Sequence, residues 1–504
     1  MRQIGRSALV ALLAIAATVL MVFTSTMTAV VTLTATALYM GGTRHPLSIP
    51  QDTPEYIQSY VGNADLLYVG PSTLCGAPCS QVAVYTPAQF WPITGLDSIT
   101  FDKSVALGVA NLDNCIRGAA CTVTLPPFTE TNPPQEVSDT SYVVFGYSQS
   151  AAVASIEKGD LIANPPDATT GFVLVANPNR PNGGILERFV GLYIPIIDVT
   201  FNGATPTDSP RDKPRRLTTV DVAGQYDPVS DFPTNPLNLL ADLNALAGFI
   251  YVHPEENYFD ADTPLLQGQY QDTTYYLIPT PTLPLLMPLE LIPVIGPPLA
   301  VTLDPPMRVL VETGYDRTIN PGAPTPAKWL YFPCPVETAI NLAVAIPTGW
   351  DNGIAYITGN PADRPFRTTP PGPYGVGGPP VDTGSFDEYG DPTPATTTMV
   401  AEVTSVATET AESAVESPKP KPIKIGHSAT PLRERAGALM SDLADVGIPP
   451  VTKPKSTLVD RLSTRRDARE WGIRRDGFPT RHATRSEPTT DGLSPASNEA
   501  NDAA

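Results

Sequence analysis

Histidine is scarce in this chain: its 504 residues include four. Such a shortage makes any histidine base findable by elimination. Cysteine is nearly as rare, at five. Cys75 and Cys79 lie close together, as do Cys115 and Cys121, which suits two small-loop disulfides, with crossed pairings left open and Cys334 left over. Spacings of that kind also suit zinc, but no histidine accompanies them, so no metal is expected. Basic residues are in deficit, 32 against 51 acidic ones, for a net charge of −19. An acidic body repels phosphate, which excludes nucleic acid as a partner. The basic residues gather toward the C-terminus, where Arg465, Arg466, Arg474 and Arg475 stand. Contact of this basic tail with anionic envelope components competes with a simply solvated tail.

Charge is missing altogether from Ser7 to Met40, and Ser7 to Phe23 is dense in Ala, Leu, Val and Ile. About 20 such residues span a bilayer. Arg2 and Arg6 precede the run and no acid appears before Asp52, so the N-terminus is expected to stay inside and the body to cross. An uncleaved anchor over 1–40 is favoured over a cleaved signal, because no small-residue cleavage site follows the apolar core. This predicts a single-pass protein of the cell membrane whose body lies on the extracytoplasmic side.

What is present is a run at 142–153, Tyr-Val-Val-Phe-Gly-Tyr-Ser-Gln-Ser-Ala-Ala-Val. A β-branched and aromatic stretch ends at a glycine, passes through Ser148 and continues into small residues, the pattern of a nucleophile elbow. The sharp strand-to-helix turn tolerates only small side chains two positions either side, here Gly146 and Ser150. Of the histidines, His45 follows the apolar N-terminal run, and His427 and His482 lie in a Pro-, Ser- and Arg-rich tail. His253 remains, at the end of the apolar helical pattern 236–252. Between Ser148 and His253 stands Asp227, directly after the strand-like 217–223, with Asp231 four residues on as the alternative acid. The order Ser, Asp, His is that of α/β-hydrolases.

Three motifs now carry a resemblance. Asn177-Pro-Asn-Arg-Pro-Asn-Gly-Gly184, the elbow Gly146-Tyr-Ser-Gln-Ser150, and Tyr226-Asp-Pro-Val-Ser-Asp-Phe-Pro233 followed by 238–248 resemble the PE-PPE domain of mycobacteria, over roughly residues 60–300. The resemblance implies a cutinase-like serine α/β-hydrolase acting on lipid esters, with Ser148 as nucleophile, Asp227 as acid and His253 as base. It further implies an oxyanion hole from the Gln149 amide and, from the loop after the first strand, Ser72. No helical PE or PPE module precedes the domain. Members that carry an N-terminal membrane anchor instead are similar to acyltransferases moving fatty acyl chains between trehalose glycolipids. Acyl transfer is therefore the first expectation and carboxylester hydrolysis the second, with no cofactor in either. A non-catalytic surface lipid-binding protein is the alternative of another class.

Strands are expected at Asp65–Val69, Gln81–Tyr85, Tyr142–Phe145, Gly171–Val175 and Thr218–Val222, and helices at Phe101–Cys115, Gln149–Lys158 and Leu237–Gly248. Alternation of this kind predicts an α/β fold with a mainly parallel sheet. The expected organisation is an anchor at 1–40, a linker at 41–60, a hydrolase domain at 61–365 and a disordered tail at 366–504 with a weak amphipathic helix near Arg433–Val446. Within the domain, 275–301 is apolar and Pro-rich. Repeated proline rules out one long helix there, leaving a lid or acyl groove, or a cap packed on the core. A segment over Cys334–Ile346 has helix-like composition.

Overall fold

Strand β5, Ser141–Tyr147, is Ser-Tyr-Val-Val-Phe-Gly-Tyr, apolar along nearly its whole length and buried throughout save its first residue. A strand of that composition needs cover on both faces, which parallel sheets supply through their crossover helices. The computed structural model, which describes residues 35–381 apart from 77, 213, 214, 262 and 263, has that architecture. In chain order the elements that frame the sheet are β1 (Thr36–Met40), α1 (Pro54–Ala64), β2 (Ser80–Val84), α2 (Phe101–Ile116), β3 (Ala120–Thr124), β4 (Thr131–Glu136), β5, α3 (Gln149–Ala163) and β6 (Thr169–Val175). There follow α4 (Ile185–Arg188), the small ribbon β7 (Tyr193–Ile194) and β8 (Val199–Thr200), β9 (Thr219–Gly224), α5 (Leu239–Tyr251), α6 (Glu255–Phe259), β10 (Leu265–Tyr270) and β11 (Thr273–Ile278). Three helices complete the order: α7 (Met287–Glu290), α8 (Gly296–Glu312) and α9 (Pro335–Thr358).

Among the described residues the main sheet has nine strands, in the order β10-β11-β9-β6-β5-β1-β2-β3-β4. The run from β11 to β2 is parallel. Antiparallel pairs close both edges. Successive residues of one strand face opposite layers. Val143 and Phe145 join Tyr39, Val173 and Val175 against Ile57, Tyr60 and Val61 of α1. Tyr142 and Val144 join Leu38, Phe172 and Leu174 against Val105 and Leu112 of α2 and Ala151 and Val153 of α3. The helices start where the chain signals a start. Thr53 accepts from the Tyr56 amide at 3.2 Å, with Pro54 in the first turn.

Several expectations are corrected. The strand expected at Asp65–Val69 is a π-helical turn that prolongs α1. Asp65 accepts a 2.6 Å hydrogen bond from Tyr39, while Tyr68 and Val69 turn inward. With no breaker after Ala64, helical continuation overrides the strand composition. Thr36–Met40, expected as the end of the anchor, is a buried strand between β5 and β2, so the domain begins well before residue 61, and α1 starts inside the expected linker. The expected disordered tail begins too early. Pro373 accepts from Gln225 at 2.9 Å and from Arg308 at 3.0 Å, and buried Tyr374 lies over the Arg317 guanidinium at 4.7 Å. Without that segment the Gln225 amide would lose this acceptor and Arg308 one of its two at Nη1. Residues 7–34, the basic tail and the helix expected at 433–446 lie outside the described residues. No helix among the described residues is long and apolar enough to cross a membrane.

Most sequence-expected elements are present: Gln81–Tyr85 overlaps β2, Tyr142–Phe145 lies within β5, Gly171–Val175 within β6, and Thr218–Val222 overlaps β9. The expected helices at Phe101–Cys115 and Gln149–Lys158 lie within α2 and α3, Leu237–Gly248 overlaps α5, and the Cys334–Ile346 segment starts α9. The Pro-rich segment holds no long helix up to Pro293. Its first residues, 275–278, belong instead to β11 of the main sheet; the rest packs as a cap, with Leu283, Leu286 and Ala300 buried against Tyr226 and Ala241, and leaves Leu291, Ile292, Val294 and Ile295 exposed.

Candidate active site

Ser148 sits between the end of β5 and the first residue of α3, at φ 55 and ψ −117. This is a left-handed, strained conformation for a residue with a Cβ, as a nucleophile elbow requires. A Cβ on Gly146 would lie 2.6 Å from the Ser150 carbonyl oxygen, which explains the small residue there. Ser150 Oγ in turn accepts from the Tyr147 amide at 2.9 Å and donates to Met40 at the end of β1 at 3.1 Å. The elbow is thereby tied to two strands.

Ser148 Oγ lies 2.9 Å from His253 Nε2. His253 Nδ1 lies 3.0 Å from both carboxylate oxygens of Asp227. The three residues come from the carboxyl end of β5, the loop after β9 and the loop after α5, the usual location of sites in parallel α/β sheets. Helix α5 can approach the acid turn because position 248 is glycine: a Cβ there would lie 2.0 Å from the Tyr226 carbonyl oxygen. His253 then closes the helix, its amide donating to Gly248 at 2.9 Å. The imidazole stacks on Phe249 at 5.3 Å and on Tyr147 at 5.8 Å, and the Tyr147 hydroxyl donates to the His253 carbonyl. The ring is fixed on two sides.

Asp227 is fully buried and accepts from the Val229 amide at 2.9 Å, Ser230 Oγ at 3.1 Å and Tyr258 Oη at 2.6 Å besides the imidazole. Burial alone would raise its carboxyl, but the facing His253 and the hydrogen bonds from His253, Tyr258 and Val229 hold it below the ordinary carboxylate value. Burial and the Asp227 charge push the Tyr258 phenol well above its usual range, so it remains a donor.

Asp231, the alternative acid, is engaged elsewhere. It receives both guanidinium nitrogens of Arg317 at 2.6 and 3.1 Å and the Tyr226 amide at 2.8 Å, so it anchors the loop and does not face His253. Ser72 is also spoken for. Its amide donates to Tyr68 at 3.1 Å and its hydroxyl to Val69 at 2.6 Å, and it follows a helical turn, whereas the first strand is β1. The loop after β1 is Gly41-Gly42-Thr43, and a Cβ on Gly42 would lie 2.8 Å from the Tyr147 ring. Gln149 opens α3, so its amide has no intrahelical acceptor. Its side chain is held by Ser104 at 3.1 Å and by the Gln89 carbonyl at 2.9 Å.

Sequence reasoning missed Tyr258, Phe249 and the Gly41–Thr43 turn; a tyrosine five residues after a histidine carries no signal of its own. The Asn177–Gly184 motif buttresses the acid loop, with the Ile185 amide donating to Val229 at 3.0 Å and Phe232 to Gly183 at 2.7 Å. Its Asn177 and Arg180 both bond buried Asp221. His45 pairs with Asp52 at 2.8 Å, while His427 and His482 lie outside the described residues. The disulfides are Cys75–Cys79 and Cys115–Cys121, and Cys334 is free and exposed.

Residues 77–316 match the family model of the PE-PPE domain. PE family protein PE3 of Mycobacterium tuberculosis is 39% identical over 329 residues, covering 63% of this chain and 62% of that protein. Esterase PE16 of the same organism is 38% identical over 305 residues, covering 58% and 51%. Its diacyltrehalose acyltransferase Chp2 is 29% identical over 224 residues, covering 40% and 55%. The chain thus spans between 51% and 62% of the length of these relatives.

Proposed function

We propose that this chain, whose residues 77–316 are a PE-PPE domain, forms an acyl-enzyme at Ser148 and passes fatty acyl groups between cell-envelope glycolipids of the trehalose-ester type. The observation that carries the reading is the hydrogen-bonded file from Asp227 through His253 to Ser148. His253 Nε2 takes the Ser148 proton as Oγ attacks the ester carbonyl. The tetrahedral intermediate collapses, and Nε2 returns that proton to the departing alcohol oxygen. An acceptor hydroxyl then gives its proton to Nε2 and attacks the acyl carbonyl, and Ser148 leaves with the proton restored. Asp227 orients the imidazole and balances its transient charge. The oxyanion is received by the Gln149 amide and by an amide of the Gly42–Thr43 turn, which replaces Ser72 in that role. No cofactor takes part.

A lipid acyl chain is supported by α5, which ends two residues before His253 and exposes Leu239, Leu243, Leu246, Phe249 and Ile250. Trehalose-ester substrates are supported by the name of Chp2 and simple hydrolysis, the second reading, by that of PE16. Two disulfides favour an oxidising compartment, in line with an enzyme held at the extracytoplasmic face of the cell membrane by its apolar N-terminal segment. Fluorophosphonate labelling of the detergent-solubilised protein tests the chemistry. An adduct at Ser148, absent in Ser148→Ala and much reduced in His253→Ala, is expected; an unlabelled folded wild type would instead favour a non-catalytic lipid binder. Acyl transfer to a trehalose glycolipid in excess water separates transferase from esterase.

A further inference from the structure

His45 is the one other histidine among the described residues, and the triad does not use it. It closes the turn that follows β1. Its amide donates to Gly42 at 3.0 Å, and a Cβ on Gly41 would lie 2.0 Å from its carbonyl oxygen. The imidazole Nδ1 lies 2.8 Å from Asp52, whose other oxygen accepts from the Leu47 amide at 2.8 Å. Its ring stacks on Tyr56 of α1 at 4.3 Å, and the Tyr56 hydroxyl donates to Glu255 at 2.7 Å. Glu255 opens α6, two residues after His253. A continuous file of contacts therefore joins the Gly41–Thr43 turn, α1 and the loop carrying the triad histidine.

We propose that His45, bound to Asp52 and stacked on Tyr56, is a positioning residue that sets the Gly42–Thr43 turn against the Ser148 elbow and couples it to the His253 loop through Glu255. The inference rests on the acyl-enzyme reading above. The location makes the coupling specific: β1 is paired in register with β5, Met40 opposite Gly146, so a shift of the turn after β1 is felt directly beside Ser148. Backbone strain sharpens the need for a clamp, since Arg44 and Leu47 both hold positive φ, at 83 and 52. Arg44 itself is turned away, bonded to the Ile93 carbonyl at 3.1 Å.

The file is also titratable. Burial lowers the His45 imidazole, but its hydrogen bond to Asp52 and the charges of Glu255, Asp52 and Glu256 outweigh it and raise it above its ordinary value. Glu255 is pushed up to about 7, chiefly by burial, against the opposing effect of His45 and the Tyr56 hydrogen bond, while Glu256 and Asp52 add to the rise. The groups facing His45 are thus Asp52 on its own loop, Tyr56 on α1, and Glu255 and Glu256 on α6. A histidine raised in the folded state keeps its charged pair below the unfolded value and loses it as pH rises through the folded one. The clamp therefore loosens as pH rises through the raised His45 value.

The test is the rate of Ser148 acylation in the full chain, read by fluorophosphonate labelling and by burst kinetics on a short ester from about pH 5 to 9. Wild type should decline as pH rises through the raised His45 value. His45→Ala should acylate about tenfold or more slowly at neutral pH with KM little changed, because a misplaced oxyanion donor acts on the transition state. His45→Asn, which keeps a donor for Asp52, should recover part of the rate and lose that decline. Wild-type rates in a folded His45→Ala overturn the proposal, as do wild-type rates in Asp52→Asn should His45→Ala not fold. Failure of wild type to label at all would instead sink the acyl-enzyme reading.

Discussion

At the scale of single residues, two aspartates four positions apart have different work, and their environments separate them. Asp227 meets His253 and three further donors, whereas Asp231 meets Arg317 and the Tyr226 amide. Asp227→Asn should therefore leave the fold intact and lower the acylation rate on the order of 10⁴-fold, by losing the correct imidazole tautomer. Asp231→Asn should do the reverse: breaking a buried ion pair costs about 3 kcal/mol, seen as a lower thermal midpoint, while activity of the folded fraction is nearly kept. Side-by-side melting curves and burst kinetics check both. The sequence ranked Asp227 first because it directly follows a strand, but it offered no sign of Arg317, which approaches from 86 residues away. Tyr258 was hidden for a similar reason: its role exists only once α6 folds back over the acid turn.

Helix α5 shows what an element adds beyond its residues. Asn238 caps it, accepting from the Ala241 amide at 3.1 Å, and Ala241, Asn244, Ala245 and Gly248 form its buried face. Its opposite face is Leu239, Leu243, Leu246 and Phe249, spaced three or four apart and exposed, and it leads to His253. A helix of such composition would ordinarily be inverted, with its large apolar residues inward. The outward face is expected to guide acyl chains toward the site. Leu243→Ser with Leu246→Ser should cut turnover of an emulsified long-chain ester about tenfold while leaving a soluble short ester within about twofold, since the lost contact is with the chain alone. Equal loss on both substrates would refute that role. The helix was legible from its apolar pattern, yet which side faced outward was not, because small residues pack inward only where another backbone comes close, as Tyr226 does at Gly248.

At the scale of the whole molecule, the parallel centre of the sheet was readable wherever a strand stood alone between polar flanks, as β5, β6 and β9 do. It was unreadable where β1 merges with the uncharged run that begins at Ser7, since a strand buried on both faces and a bilayer segment share one composition. The far boundary was misread for the opposite reason: Pro- and Gly-rich chain from 366 onward carries little apolar mass, but its Pro373 carbonyl accepts from donors on both Gln225 and Arg308. A chain ending at residue 369 should melt with about 3 kcal/mol less stability than one ending at residue 381, through those lost bonds and the uncovered Tyr374 site; equal midpoints would show the segment to be dispensable. The central place of β1 has a mechanical side as well. Ala35 enters at the sheet end opposite the triad, and β1 is laddered to β5 on one side and β2 on the other. A pull applied through Ala35 runs along the strand, so both ladders are loaded in shear at once instead of opening bond by bond like a zipper. Load entering at Ala35 is thus spread over two ladders, while the reactive rim lies at the other end of the same strands.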